Sequence, residues 1–335
     1  MILITGATGF IGRRLIRRLV NVFDPQNILC LVHPNHSNPL EQSGRALLDA
    51  LGIRYIPVDL ATGSGMEQVP RSPDIVFHLA SNTNTGARDH RINDVGTKLL
   101  MEAIQPFHQN GTFIFTSTIS VSDHRSDPHK AGNENSVLLR PRSEYGRKKL
   151  ETERYLREKC GQDGFSLSIL RVSATYGGGT RAHGLFDALV AIAKQGSNIG
   201  RFDYPGLMTT IHVDDVADVL TRLAHLSTQP NKPRTFIAHA EVLSIHDMSA
   251  AIHEALHIPF APIRLPAWFW QLTQHGSSFI YALERMLPHS IYNKLWQLTL
   301  LVNNGYNNTS LHLQDAFPDK VYKYFKDNAR DLLLP

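Results

Sequence analysis

Short apolar or β-branched runs alternate with amphipathic stretches through the first two-thirds of the chain. The apolar runs are ILIT (2–5), NILCLV (27–32), IRYIPVDL (53–60), DIVFHLA (74–80), GTFIFTST (111–118) and FSLSILRV (165–172). Each has the length and composition of a strand buried on both faces. Between them, GRRLIRRLV (12–20) and NDVGTKLLMEAI (93–104) repeat apolar residues at three- and four-residue spacing, as a helix with one buried face does. Strands alternating with helices predict βαβ units, hence an α/β fold with a doubly wound parallel sheet covered on both faces. Beyond about residue 176 the regularity weakens, and YGGGTRAHG, DYPGLMTT and STQPNKPR separate shorter elements. From 255 to 305 the pattern is mostly helical and rich in aromatics.

Composition narrows the class. With 335 residues, 42% hydrophobic and 19% charged, the chain can bury a substantial core in one large or two smaller domains. A formal charge of +4 and a pI near 9.0 favour an anionic ligand or surface. The basic residues are spread along the chain, which argues against nucleic acid as a partner. Two cysteines, Cys30 and Cys160, without a CxxC or His/Cys cluster, predict a reduced cytoplasmic protein and no metal. Met1 leads straight into Ile2-Leu3-Ile4, with no leader pattern, and no apolar run approaches the ~20 residues that span a bilayer.

Candidate chemistry begins directly after the first run. TGATGFIG places Gly6, Gly9 and Gly12 between a strand and an amphipathic helix. Glycines there permit a tight turn, close approach of backbone to a pyrophosphate and close helix packing, while the helix N-terminus favours the anion. The GxxGxxG spacing resembles the short-chain dehydrogenase/reductase superfamily, in particular its extended, epimerase-like branch of NAD-dependent epimerase/dehydratase type. Asp59 in VDL, the HLAS segment (78–81), Asn93 in NDVGT and HVDDVAD (212–218) follow in that branch's order.

The resemblance implies a Rossmann-type domain over 1–175, with 205–240 returning to it. Residues 176–204 and 241–335 would form a smaller, mainly helical substrate-binding lid. It implies cofactor contacts from Gly6, Thr8, Gly9, Phe10, Ile11 and Gly12 in the loop, from Asp59 and Leu60, and from Leu79, Ala80 and Ser81. Val172, in the RVSATYG that resembles the family's LRPxxxYG, would lie against the carboxamide; Ser173 replaces the usual proline. Asn93 would organise the active-site water chain. NAD-preferring members carry an acid at the end of the second strand. Here LCLVHPNHSN has no acid before Glu41. His33, with Asn35 and His36 beside it and Arg13 after Gly12, makes NADP the expected cofactor, with NAD the alternative. Arg14, Arg17 and Arg18 read as a wet helix face.

A tyrosine becomes a useful acid/base only when its pKa, ~10 unperturbed, is brought towards neutrality. In SEYGRKKLE (143–151), Lys149 lies four residues after Tyr145 and projects from the same helix face, where its ammonium can stabilise a phenolate. By the resemblance, Tyr145 exchanges the proton of a substrate oxygen during hydride transfer, Lys149 also holds the nicotinamide ribose, and Thr118 orients the oxygen, with Ser117 as its competitor.

The substrate is less legible. Relatives acting on nucleotide sugars usually carry an arginine just before HVDD; this chain has Thr209 and Thr210, with Arg201 and Arg181 as distant substitutes. Trp268, Phe269, Trp270 and Tyr281 crowd the C-terminal third. Such stripes are most often plain core; otherwise they favour an apolar carbonyl or alcohol over a nucleotide sugar, or mark contact with a membrane surface or a second subunit. The resemblance implies a homodimer. Ile119 and Ser120 after Thr118 lack the acidic pair of dehydratases, whereas epimerisation needs only the same tyrosine. A non-catalytic dinucleotide sensor would need the glycine loop but not Tyr145, Lys149 and Thr118.

Overall fold

The computed structural model describes residues 1–35, 37–85, 87, 89–107, 110–122, 132–136, 138–179, 184–226, 230–283, 286–303 and 307–334. His36 and Arg181, and the Tyr281 side chain, lie outside this description.

A seven-stranded sheet has the order β3-β2-β1-β4-β5-β6-β9. Its strands are β1 (Ile2–Thr5), β2 (Ile28–Val32), β3 (Arg54–Pro57), β4 (Ile75–His78), β5 (Thr112–Thr118), β6 (Ser166–Val172) and β9 (Arg234–Ala238). The first six pair in parallel. The order reverses between β1 and β4, and in doubly wound sheets ligands bind beyond the strand C-termini at such a switch point. Helices α1 (Phe10–Leu19), α2 (Pro39–Ala50), α3 (Val95–Ala103), α4 (Glu144–Asp163) and α6 (Val213–His225) accompany these strands. Strands β1 and β2 are buried along their whole length, as their unbroken apolar runs require. Edge strand β3 is partly exposed and tolerates Pro57, which has no N–H to pair.

The chain divides into two compact units. The first comprises Met1–Thr118, Glu144–Val172 and Val213–Phe236, and the second Ile119–Ser143, Ser173–His212 and Ile237–Pro335. Relative to the expected boundaries, the chain leaves the first unit already after β5, and the return begins at Val213 instead of 205. In the first unit the core lies on Leu3, Val76, Phe113, Phe165 and Leu167. α1 packs along α6, with Arg18 NH1 3.4 Å from Asp218 Oδ1 and Arg14 Nε 4.0 Å from Asp214 Oδ1. Two of the three arginines read as a wet face therefore pair with α6, and Arg17 alone is exposed.

The second unit is not purely helical. It contains a sheet of order β10-β8-β7, formed by β7 (Ala174–Tyr176), β8 (Leu207–His212) and β10 (Glu241–Ser244). Around it lie α5 (Leu185–Lys194), α7 (Ile245–Ala255), α8 (Ala267–Ala282), α9 (His289–Thr299), α10 (Leu311–Ala316) and α11 (Phe325–Asn328). Ser244 and Asp247 form a capping box that starts α7. The core of this unit centres on Tyr176, Phe186 and Phe325, whose rings meet at 4.8–5.9 Å.

Candidate active site

β1 ends at Thr5, and the chain turns through Gly6 at φ +72°, a conformation that side chains rarely adopt. A Cβ at Gly6 would lie 2.7 Å from Ala80 N, and one at Gly12 would overlap Gly6 O. Gly9 caps α1 and donates its N–H to Gly6 O at 3.1 Å. The first turn of α1, begun by Phe10 and Ile11, contains no acid. Its N–H groups and dipole therefore offer a positive terminus. A loop that leaves no room for side chains, followed by such a terminus, fits a dinucleotide pyrophosphate.

The end of β4 is fixed beside this loop. Leu79 and Ala80 donate their N–H groups to Thr5 O at 3.2 Å and Thr5 Oγ1 at 3.1 Å. His78 is buried, with Nδ1 2.7 Å from Thr5 Oγ1 and Nε2 2.8 Å from Thr97 Oγ1. Burial, helped by the charge of Lys149, pushes its pKa down to about 3, so it is a neutral structural group. Asn93 clamps the next segment. Its Oδ1 accepts from Ser81 Oγ and Asn82 N, both at 2.9 Å, and its Nδ2 donates to Asn82 O at 2.9 Å. Its backbone carbonyl accepts from Thr152 Oγ1 on α4 at 2.7 Å. The loop, the β4 end, Asn93 and α4 thus form one connected framework.

Tyr145 lies in the first turn of α4 and Lys149 one turn later; both are buried. Lys149 Nζ donates to Thr116 O at 2.9 Å and lies 4.6 Å from the Phe115 ring centroid. Burial pulls its pKa from 10.5 down to about 7, against the opposing pull of Glu153. In a parallel βαβ unit the helix runs antiparallel to its strands. Going back four residues from Lys149 to Tyr145 covers ~6 Å of helix, and going on two residues from Thr116 to Thr118 covers ~6.6 Å of strand, in the same direction. Tyr145 and Thr118 therefore lie at the same level, at the C-terminal edge of the sheet, where Thr118 pairs with Val172.

One of the two hydroxyls that competed in the sequence is committed elsewhere. Ser117 Oγ donates to Glu153 Oε1 at 2.6 Å, and Arg171 grips both oxygens of that carboxylate at 3.0 and 2.7 Å. This buried triad commits Ser117 to holding α4.

At the far end of the loop, His33 follows β2, exposed, and Asp59 follows β3. Burial would raise the Asp59 pKa, but hydrogen bonds from Thr62 and Ala61 and the nearby His33 hold it below the usual range. Leu60 is buried beside it. Arg13 donates to Ser43 Oγ at 3.1 Å. Burial lowers its pKa, with the charges of Arg14 and Arg17 adding to the effect. Glu41 accepts from Thr8 Oγ1 at 2.6 Å and faces Arg45 Nε at 3.6 Å, while Arg45 also donates to His33 O. Glu41 thus reaches the loop from α2, not from the end of β2.

Sequence reasoning also missed His90. It is buried, and its ring centroid is 6.2 Å from that of Tyr145. Because Asn93 Oδ1 faces two donors, Nδ2 must be the group 3.2 Å from His90 Nδ1. Nδ1 is then an acceptor, the ring proton sits on Nε2, and that N–H has no partner among the described residues. No spacing rule would have singled it out. Of the two candidate substitutes for a nucleotide-binding arginine, Arg181 lies outside the described residues and Arg201 is engaged elsewhere. Thr209 and Thr210 are buried in β8, with Thr209 Oγ1 bonded to Asn308 N at 2.9 Å, and Arg201 donates to Ala261 O at 2.7 Å and Asn198 Oδ1 at 3.0 Å.

The chain matches the NAD dependent epimerase/dehydratase family model over residues 2–237. The dTDP-L-rhamnose 4-epimerase of Burkholderia thailandensis is 26% identical over 297 residues, 75% of this chain and 80% of that protein. The 3beta-hydroxysteroid-dehydrogenase/decarboxylase isoform 3 of Arabidopsis thaliana is 26% identical over 286 residues, 78% of this chain and 48% of that protein. Other curated relatives are much longer, and the chain spans 2%, 35% and 4% of the length of three of them. Among solved structures, a double mutant of DesIV, a dTDP-glucose 4,6-dehydratase from Streptomyces venezuelae with NAD and DAU bound, has a TM-score of 0.73 at 16% identity. That match covers 99% of this chain and 96% of the other. At that identity the likeness is one of fold. With the family match spanning the glycine loop, the Tyr145–Lys149 helix and strands β1 to β6, the chain belongs to the NAD dependent epimerase/dehydratase family, the extended branch of the short-chain dehydrogenase/reductases.

Proposed function

We propose that this enzyme is an NADP(H)-dependent oxidoreductase that acts at a hydroxyl- or ketone-bearing carbon, with Tyr145 as general acid/base. The observation that carries the reading is a buried lysine of lowered pKa one turn from a buried tyrosine, on a helix tied to the glycine loop through Asn93. Bound along the loop, the nicotinamide cofactor would supply or accept the hydride. During reduction, the Tyr145 hydroxyl gives its proton to the substrate oxygen as the C=O bond becomes single, and Lys149 stabilises the phenolate left behind. Oxidation reverses both transfers. Thr118 donates to the substrate oxygen and orients it.

His33 after β2, with Arg13 on α1 and Arg45 on α2, supports NADP(H). The second reading, NAD, draws on Glu41, whose carboxylate accepts from Thr8 in the loop. Titration with each cofactor separates them: the proposal expects tighter NADPH binding, and a Glu41→Gln variant should widen the difference. Tighter NADH binding would reverse the assignment.

An apolar carbonyl or alcohol is the proposed substrate, supported by the buried Thr209 and Thr210 and the engaged Arg201. A nucleotide-sugar epimerase or reductase is the alternative, supported by the 75% coverage against the Burkholderia epimerase. A thermal-shift screen with NADPH present discriminates by mass action. Stabilisation and cofactor turnover with lipophilic ketones support the first reading; stabilisation only by UDP-, GDP- or dTDP-sugars supports the second. The family resemblance further suggests a cytoplasmic homodimer.

A further inference from the structure

Among the described residues, large exposed apolar side chains concentrate on α8, α9 and the turn between them. Trp268 is 64% exposed, Leu272 65%, Phe279 68% and Met286 78%, and Ile291 and Leu298 on α9 are also exposed. On α8, at 100° per residue, Trp268, Leu272 and Phe279 fall within an arc of roughly 40°. They form a stripe, not scattered single residues. The helix AWFWQLTQHGSSFIYA has no Asp, Glu, Lys or Arg, and no helix of the described residues is long and apolar enough to cross a membrane.

Charge distinguishes between possible occupants. Between Glu254 and Asp315 the sequence contains one acid, Glu284, against Arg264, Arg285 and Lys294, with four histidines besides. Arg264, just before α8, is exposed, as is Lys294, one helical turn from both Ile291 and Leu298. A second copy of the chain docked on this face by a two-fold axis would add its own Arg264 and Lys294 to these cations and bring few acids to meet them. An anionic lipid surface instead complements the charge, accepts the apolar stripe and suits an exposed tryptophan at the headgroup level.

We propose that α8 and α9 form a peripheral membrane-binding face, with Trp268, Leu272 and Phe279 entering the headgroup boundary of an anionic bilayer and Arg264 and Lys294 contacting its phosphates. The helices lie on the bilayer and do not cross it.

The test is co-sedimentation of the full chain with vesicles of phosphatidylcholine alone, or with about a quarter phosphatidylglycerol, at low salt. The wild type should partition at least about tenfold more strongly onto the anionic vesicles. A Trp268→Ser/Leu272→Ser/Phe279→Ser variant, checked for retained far-UV CD and melting temperature, should lose roughly tenfold or more of that binding. An Arg264→Glu/Lys294→Glu variant should lose the preference for anionic lipid. Wild type that stays in the supernatant, or a serine variant that pellets like wild type, overturns the proposal. It is equally overturned if the wild type is a dimer that the serine variant converts to monomer while neither binds vesicles, which would assign the face to a second copy.

Discussion

Replacing Lys149 by methionine should change how stability depends on pH. The unfolded lysine titrates at 10.5 and the folded one at about 7. Between those values the unfolded chain binds the extra proton, so stability rises with pH across that window and stays at its lower level below pH 7. One proton contributes a slope of about 1.4 kcal/mol per pH unit, so from about pH 7.5 to 9.5 the wild type should gain roughly 2.7 kcal/mol that Lys149→Met does not. Methionine has similar length and an apolar body, and leaves no ammonium to desolvate. It does forfeit the Nζ–Thr116 O hydrogen bond, worth about 1.5–3 kcal/mol, which offsets part of the gain at low pH but not the difference in slope. Urea unfolding should be followed by far-UV CD, because Trp268, Trp270 and Trp296 all belong to the second unit and their fluorescence would miss the first. Parallel stability curves for the two proteins across this window would refute the claim that folding holds Lys149 near neutrality.

Arg171→Met should be strongly destabilising, by about 3–5 kcal/mol, because it strands a buried Glu153 carboxylate. Ser117→Ala should cost only about 1 kcal/mol, since Arg171 still grips that carboxylate; calorimetric melting of both variants checks the ranking. His90→Phe, which removes the buried Nε2 donor beside Tyr145, should lower kcat/KM on whatever substrate the screen identifies by about tenfold or more. His90→Gln, which can return a donor amide near that position, should recover part of it, with cofactor affinity unchanged in both. Equal losses for the two variants would reduce His90 to a packing role.

The first unit was legible because its signals are local. All six predicted apolar runs fall on strands β1 to β6, and the glycine loop and the Tyr145–Lys149 spacing are readable within a single turn of chain. That Ser117 is engaged rests on one non-local fact, the Glu153–Arg171 pair that holds it. The rest was hidden for the same reason. Arg14 and Arg18 find partners on α6 two hundred residues away, and Glu41 reaches Thr8 only once α2 has packed. The strand β7 is three residues long, too short for periodicity to reveal the second sheet.

The central claim is that Tyr145 moves the proton while the loop holds the cofactor. Its most direct test is absorbance at the reduced-nicotinamide band for wild type and Tyr145→Phe, at matched cofactor occupancy and with the substrate that the wild type consumes. The account predicts unchanged cofactor affinity and loss of turnover by a factor on the order of 10²–10⁴, the usual worth of a positioned acid/base. Full activity in Tyr145→Phe would contradict it.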